Sequence, residues 1–432
     1  MSETATEKIG LLARFRAGFA AFTGIEQRST NPSINFSTFA SQSESGTNVN
    51  SESMLRLSAA YSSIRNISED IGKIPFSIYD KEGTYDNIEQ TNHAAYKLLR
   101  FESSPGIPSY VLKASLIASA LSKGDGFAYI RKDKKGIPNA LFYIPYENVE
   151  ILISEKTNEI IYRISGTNKN AIYVKSGDYK STEMIHVRGL SLDGVRGVSV
   201  ISYGANSLGL AISAQNMASK VYKNGSNIGG FLQTDNVLKP EQIKNLQNSF
   251  NASTSGNDNA YKWKLLDAGI KANPIDLKIE DTQLLETRQF SIADVARWFR
   301  MPLHKIQDMS GATFSNIEQQ NIEYATDTLN PWVSKLEDEF LIKLCTEKEI
   351  ASGYFVRGNL GEILRGDTAA RTQYYKEMTY IGAISTNEVR SGEMLNSVNG
   401  GENRYIPSNM MVIKEDGSIY VPNINPNNQP KD

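Results

Sequence analysis

Residues 310–320 read SGATFSNIEQQ, and the layout of the second half of the chain follows from how this stretch is read. It sets one large apolar residue, Phe314, among small and polar neighbours immediately before a helix signal. Ser315-Asn316-Ile317-Glu318 fits the S-x-x-E capping box, in which the Ser oxygen accepts from the N–H three residues on and the Glu carboxylate reaches back. That places a helix start at Ser315. Downstream, Ile317, Tyr324, Thr328, Trp332, Leu336, Phe340 and Leu344 form a long apolar seam, and Pro331, which lacks a backbone N–H, predicts a bend in it. Upstream, Ile292, Val295, Ala296 and Phe299 recur at i, i+3, i+4 and i+7, the spacing of a helix that ends before Pro302. The quoted stretch therefore joins two helices. Phe314 has two readings at this point: it staples the helix that follows, or it is presented to something outside the chain.

Working back, the segment SVISYGANSLGLAISAQNMASKVYK, residues 199–223, is helix-length and rich in Gly, Ala and Ser. Small residues permit close approach, so it reads either as a helix crowded by copies of itself or as an ordinary buried helix. Gly204 and Gly209 each cost about 1 kcal/mol against Ala in a helix. Between it and the Ile292 helix lies a compact α/β insert with Pro240 suited to a first helical turn. Before it, order begins at Met54, where Leu57, Tyr61, Ile64, Ile67 and Ile71 mark one helical face, Ser109–Leu121 fits another helix, and alternating runs such as IIYRI, AIYVK and MIHVR predict antiparallel strands. The fold class is α+β. Leu11, Leu12, Phe15, Phe19 and Phe22 suggest an amphipathic N-terminal helix, and the Ser/Asn/Thr-rich residues after it read as an arm or linker. Toward the C-terminus, RGDTAARTQYYKEMTYIGAIS predicts a helix closed near Gly382, and Ser385-Thr386-Asn387-Glu388 is a second capping box.

The chain has 432 residues, 40% hydrophobic and 22% charged, with a formal net charge of −2. Such a balance argues against tight whole-surface nucleic-acid binding and leaves light or local contact. Cys345 is the single cysteine, so no intrachain disulfide forms; it reads as a small buried hydrophobe. The N-terminus carries acids and arginines inside its apolar pattern and lacks the unbroken core of a signal peptide or span, so an intracellular protein is expected.

Catalytic constellations are missing from the sequence. His93, His186 and His304 are scattered without neighbouring His or Cys partners, so no metal site and no cofactor is expected, and each His reads as structural. There is no phosphate-cradling G-x-x-x-x-G-K-[ST], no G-x-G-x-x-G and no G-x-S-x-G. The loop GLSLDGVRGVS, 189–199, is the most enzyme-like string; it reads as a backbone nest for an anion or as a turn leading into the next helix, with Asp193 the residue on which a hydrolase would depend. Asp125, in GDG, reads as an ordinary turn or surface residue. An enzyme is not expected.

Several strings taken together resemble one family: RLSAAYSSIRNISEDIGKIPFSIYD, LSKGDGFAYI, HVRGLSLDGVRGVSVISYGANSLGLA, KNGSNIGGFL, LLETRQFSIADVARWFRMP, ATFSNIEQQNIEYATDTLNPWVSKLE and LRGDTAARTQYYKEMTYIGAISTNEVR. In order and spacing, from Met54 to Asn396, they resemble the portal proteins of tailed double-stranded-DNA phages. The resemblance implies a homo-oligomeric ring, commonly of twelve copies, at one capsid vertex of the virion and assembled in the host cytoplasm. Through it DNA is packaged and ejected, with no sequence preference. The implied partners are the terminase large subunit, a head-tail connector or adaptor, the major capsid and scaffold proteins, and double-stranded DNA, with no membrane. It also implies a portal fold: arm 1–53, wing 54–197, stem helix 198–224, a small α/β clip 225–278, second stem helix 279–301, tunnel loop 302–316, returning wing 317–364, crown helices 365–399 and tail 400–432. On that layout Ser310, Ala312, Thr313, Phe314 and Asn316 face the channel, and Asn257, Asp258, Asn259 and Lys262 lie where the clip would meet partners. The rivals are another ring-forming connector or baseplate protein and, from a different class, the Asp193 hydrolase.

Overall fold

The computed structural model describes residues 27–29, 41–82, 86–154, 157–165, 174–223, 230–233, 239–245, 248, 271–274, 281–308, 314–361, 368–393, 395–405, 412–413 and 419–420. Met1–Leu360 form one unit and Gly361–Asp432 a second.

Part of the expected arm is built into the first unit as strand β1 (Gln27–Ser29) and the hairpin β2 (Ser41–Gln42) to β3 (Asn48–Val49). Helix α1 (Ser58–Lys73) buries Ala60, Ile64, Ile67 and Ile71. Met54 belongs to a separate short helix, Ser51–Leu55, capped by Asn50. Tyr61, expected on the inner face, is half exposed, because the buried stripe is centred on Ala60 and Ile64. Next come β4 (Phe76–Glu82) and β5 (Asp86–Glu89), then α2 (Ser109–Lys123), which packs along α1.

The strand-rich block follows as β6 (Asp125–Lys132), β7 (Pro138–Ile144), β8 (Val149–Ser154), β9 (Ile160–Ile164), β10 (Gly177–Lys180) and β11 (Met184–Arg188). It makes two antiparallel sheets, β11-β6-β7 and β1-β8-β9-β10. Phe127, Ile144, Tyr146, Ile151, Tyr162, Ile164 and Met184 form their common core. Of the predicted strands, most of AIYVK lies outside the described residues. A small hairpin, β12 (Leu190–Ser191) and β13 (Gly197–Val198), leads into the turn Val200–Tyr203 and helix α3 (Ala205–Lys223).

Strands β14 (Gly230–Gln233) and β15 (Lys271–Pro274) pair across the insert, and α4 (Asp281–Trp298) returns against α3. The returning rod is α5 (Phe314–Glu323), a π-helical stretch Tyr324–Leu329 and α6 (Asn330–Leu344), after which β16 (Tyr354–Gly358) completes the sheet β16-β4-β5. In the second unit, α7 (Thr368–Tyr380) closes with Gly382 at φ +68°, and α8 (Thr386–Gly392) starts at Ser385, whose side chain and that of Glu388 form both bonds of the capping box.

The small residues of α3 serve close packing inside the chain. A Cβ at Gly209 would overlap Ser43 Oγ of the β2–β3 hairpin, and one at Gly204 would press on the Trp298 ring at 3.2 Å. Thr47 and Ser213 hydroxyls bond at 2.6 Å across the same contact. The composition therefore reports approach by the chain's own hairpin and by α4, not crowding by copies on this face.

Asp125 departs most from expectation: it is buried. One carboxylate oxygen accepts from Gly197 N–H at 2.7 Å and from His186 Nε2 at 2.9 Å, while His186 Nδ1 accepts from the Tyr162 hydroxyl at 2.9 Å. Burial lowers the His186 pKa, partly countered by Asp125, and burial raises that of the Tyr162 phenol. The unfolded chain thus takes up a proton on His186 at a pH where the folded one does not. Stability is then fully present above about pH 6.5, the ordinary histidine range, and declines as pH falls below it. Thermal unfolding from pH 7.5 to 5 should show this decline, and His186→Asn should flatten it while lowering the midpoint at pH 7.5, with a loss of about 1–3 kcal/mol from the unpaired buried groups.

Candidate functional site

The loop that joins α4 to α5 is anchored by an unusual base. After Trp298 the chain turns through Arg300 at φ +51°, forms a 3-10 turn, Leu303–Ile306, and leaves it through Gln307 at φ +64°. Two non-glycine residues in the left-handed region within eight positions is a strained arrangement, at a cost of about 1–3 kcal/mol each. The surroundings hold it. Thr328 Oγ1 donates to the Arg300 carbonyl at 2.6 Å, and Asn66 Nδ2 of α1 donates to the Lys305 carbonyl at 2.8 Å. His304 bridges to α5 with Nδ1 at 2.8 Å from Gln320 Oε1 and Nε2 at 3.0 Å from Asn321 Oδ1.

Opposite this base, the rod changes from α to π geometry. Asn330 N–H bonds to the Ala325 carbonyl, an i to i−5 bond. Pro331 explains the position: it offers no N–H to the Asp327 carbonyl and its ring would clash there in a regular α-helix, so a widened turn accommodates it. The widening also turns the buried face. Tyr324 and Thr328 are buried as the seam predicts, but Val333 replaces Trp332 as the next core residue and Trp332 is only half buried. Tyr324 donates its hydroxyl to Asp70 at 3.0 Å, so burial and that carboxylate raise its pKa, and Lys305 stands 5.0 Å over its ring. Between base and rod lies an open cleft of about 730 Å³ lined by Arg300, His304, Asp308, Glu323, Tyr324 and Asp327 among others. Its charges are mixed, and Arg297 beside it pairs with Asp294 at 3.2 Å.

Of the channel-facing candidates, Ser310, Ala312 and Thr313 lie outside the described residues. Phe314 opens α5 and Asn316 sits in its first turn. The helix thus begins one residue before Ser315, a difference of the size by which helix termini vary. Asn257, Asp258, Asn259 and Lys262 of the insert lie outside the described residues. Sequence reading missed the base itself: Arg300 and Gln307 carry no signal of positive φ, and His304 meets Gln320 and Asn321 only through the fold.

Other candidate chemistry is accounted for by structure. Asp193 accepts from the N–H groups of Val195 and Arg196, both at 2.8 Å, and from Ser191 Oγ at 3.2 Å. These bonds hold its pKa below the ordinary carboxylate range despite partial burial, and they make it the cap of a tight hairpin, not a base facing a substrate. His93, Cys345 and Glu349, scattered in sequence, have ligand atoms within 4.8 Å of one another. Yet His93 Nδ1 accepts from Ala95 N–H at 3.1 Å, so the proton sits on Nε2, which faces Glu349 Oε1 at 3.4 Å. A metal-bound His would instead donate through its other nitrogen, and burial raises the Cys345 thiol to about 11. The cluster is a helix cap whose second ring nitrogen faces a carboxylate.

If the base is held strained by its surroundings, the backbone at Gln307 should discriminate by side-chain shape. Gln307→Gly is expected to leave stability within about 0.5 kcal/mol of wild type or raise it, whereas Gln307→Ile should cost about 1–2 kcal/mol. Urea unfolding of both variants measures this.

Comparison with known proteins bears on what such a chain is. The chain is 28% identical over 406 residues to the probable portal protein of Streptomyces phage phiC31, spanning 92% of this chain and 88% of that one. Its fold is similar to the crystal structure of an HK97 family phage portal protein from Corynebacterium diphtheriae, with a TM-score of 0.53 at 16% identity, covering 74% of this chain and 97% of that one. A chain in the neck of the empty gene transfer agent particle, computed with C6 symmetry, superposes with a TM-score of 0.53 at 18% identity over 81% of this chain and 94% of that one. The phage portal protein family model matches residues 58–393, most of the α+β architecture described above, and the chain belongs to the phage portal protein family.

Proposed function

We propose that this portal protein works as a ring of identical copies at a single capsid vertex, a conduit through which double-stranded DNA enters and leaves and a platform for the packaging motor and the head-tail connector. The observation that carries the reading is the family match across residues 58–393, which takes in the helix pair α3–α4, the anchored loop base and the returning rod as one continuous set. The cyclic symmetry of the similar particle neck supports the ring.

On this reading residues 54–197 and 317–364 form the wing, α3 and α4 the stem, 225–278 the clip, 302–316 the tunnel loop and 365–399 the crown. The clip meets the terminase large subunit and the connector, with Asn257, Asp258, Asn259 and Lys262 at that contact; capsid and scaffold proteins surround the ring. The tunnel loop presents Ser310, Ala312, Thr313, Phe314 and Asn316 to DNA.

The physics of transport favours such a loop. A protein that neutralises about six to ten phosphates binds with a strong salt-dependent grip, and a ring holding DNA so firmly would have to break those contacts at each step. Small hydroxyls with the apolar Met309 and Phe314 avoid this. The loop base agrees: its cleft mixes Arg300 and His304 with Asp308, Glu323 and Asp327 and does not form a cationic clamp. Contacts of this kind carry no base information, so transport is indifferent to sequence.

Electron microscopy of the purified protein should show closed rings with a hole wide enough for a duplex; uniformly solid or monomeric particles overturn the reading. Phe314→Ala should leave ring formation intact and alter DNA packaging or retention. Loss of assembly, with normal packaging in whatever rings survive, would assign Phe314 to stapling α5 instead.

A further inference from the structure

Although the chain as a whole is slightly acidic, one edge of the first unit is strongly basic. The turn between β6 and β7 reads Arg131-Lys132-Asp133-Lys134-Lys135-Gly136. Asp133 shapes it: its Oδ1 accepts from the N–H groups of Lys135 at 2.8 Å and Ile137 at 2.9 Å, and Gly136 takes φ +83°. That leaves Lys134 and Lys135 exposed at the tip. A second turn, Ser181–Glu183 between β10 and β11, stands beside the first. Lys132 Nζ donates to the Thr182 carbonyl at 3.1 Å, and Lys343 Nζ, from α6, donates to the Ser181 carbonyl at 2.7 Å.

Two ammonium groups thus sit on successive carbonyls and not on carboxylates. Burial lowers the Lys343 pKa, Glu339 opposes this, and Arg188 and Lys132 add to the lowering. The acids nearby are bonded elsewhere. Glu183 accepts from the Lys180 N–H at 3.0 Å, Asp178 holds Arg163 at 2.8 Å, and Glu339 holds Arg188 at 3.2 Å. Apolar side chains stand beside the charges: Ile137, at the foot of the first turn, is 43% exposed, and Ile342, next to Lys343, is 62% exposed.

The surroundings select the chemistry of the partner. At 0.1 M salt a surface charge is felt over about 10 Å, so a short acidic segment responds to this edge alone. A long polyanion also meets the remaining surface, whose balance is negative because the whole chain, these lysines included, sums to −2. A duplex presents phosphates outermost and would leave Ile137 and Ile342 uncovered, whereas a peptide brings carboxylates and apolar side chains together. We propose that the β6–β7 turn, the Ser181–Glu183 turn and the end of α6 form a docking surface for an acidic, partly apolar protein segment. Lys134 and Lys135 are its exposed charged contacts and Ile342 its apolar ground. The surface belongs to a single chain, so this inference stands apart from the ring reading.

The test uses the full chain and a fluorescein-labelled peptide of glutamates interrupted by leucines, followed by anisotropy at low salt. Control probes are the same peptide with glutamine in place of glutamate and a short labelled DNA duplex. Lys134→Glu combined with Lys135→Glu, and separately Ile342→Ser, are compared with wild type and with Lys376→Glu, an exposed lysine of the second unit. Circular dichroism and thermal unfolding confirm that each variant folds. The expected result is at least about tenfold weaker peptide binding in the double variant, a smaller loss in Ile342→Ser, none in Lys376→Glu, and no binding of the glutamine peptide. Wild-type affinity should also fall as salt rises. The inference is overturned if wild type does not bind the acidic peptide, or if either the double variant or Ile342→Ser binds it as well as wild type does. Tighter binding of the duplex through the same lysines would also overturn it, by assigning the edge to phosphate.

Discussion

The structure depends on one backbone-to-backbone contact, where the strand-rich block hands the chain to helix α3. Gly189 N–H donates to the Gly124 carbonyl at 2.7 Å, and Gly197 lies so close to that carbonyl that a Cβ would overlap it. Such proximity requires glycine on steric grounds alone. Asp125, next in sequence, turns its carboxylate onto Gly197 N–H, and Ser199 both donates to the Ser122 carbonyl at 3.1 Å and caps the turn that begins at Val200. The end of α2, the start of β6 and the entry to α3 therefore share one small polar knot. Apolar packing on either side could tolerate slippage; short directional bonds of this kind cannot, and they set the direction in which α3 departs.

The second junction works differently. Where α4 ends, no glycine relieves the turn: Arg300 and Gln307 take left-handed conformations that only outside bonds sustain. Those bonds come from α1 through Asn66, from α5 through Gln320 and Asn321, and from the π turn through Thr328. The rod is fastened in turn. Arg188 pairs with Glu339 at 3.2 Å, and Lys335, its pKa lowered by burial, donates to the Gly189 carbonyl at 2.8 Å. That last bond reaches the first junction, so the knot that launches α3 and the rod that receives the loop are tied at Gly189.

How much of this could be read from the sequence follows from the range of each interaction. Periodicity located α1, α2, α4 and the rod, because the apolar stripe of a helix is a local property. The Ser385 capping box and the Gly382 stop were readable for the same reason. Pro331 announced an irregularity, but whether it would be a kink or a π turn depends on what packs opposite, and the resulting rotation moved core contact from Trp332 to Val333. Small residues in α3 announced close approach without saying who approaches; Ser43, 166 positions from Gly209 by count along the chain, is the answer. Asp125 looked like a turn residue because GDG is a turn motif, and only His186 and Gly197, brought in by tertiary pairing, show it as the centre of a buried network. The proposed channel-facing loop rests on family resemblance alone, since small, weakly interacting loop residues leave no chemical signature in a sequence.

That absence of signature has a physical meaning for a conduit. A catalytic site concentrates charge and shifted pKa values where the chemistry occurs, but a loop that must let a polyanion pass gains nothing from either. What it needs is a fixed base and an unadhesive tip. On the proposed reading the polar interactions follow that division: Asp125 with His186, Tyr324 with Asp70, Lys335 with Gly189 and Thr328 with Arg300 belong to the framework of helices and strands that carries the loop. Directional bonds placed there would fix the position of the loop without holding what passes. If this loop faces the channel as proposed, its sequence, rich in Ser, Gly, Ala and Thr with Met309 and Phe314 as its large apolar residues, leaves steric shape and brief apolar contact as the means by which it meets whatever passes.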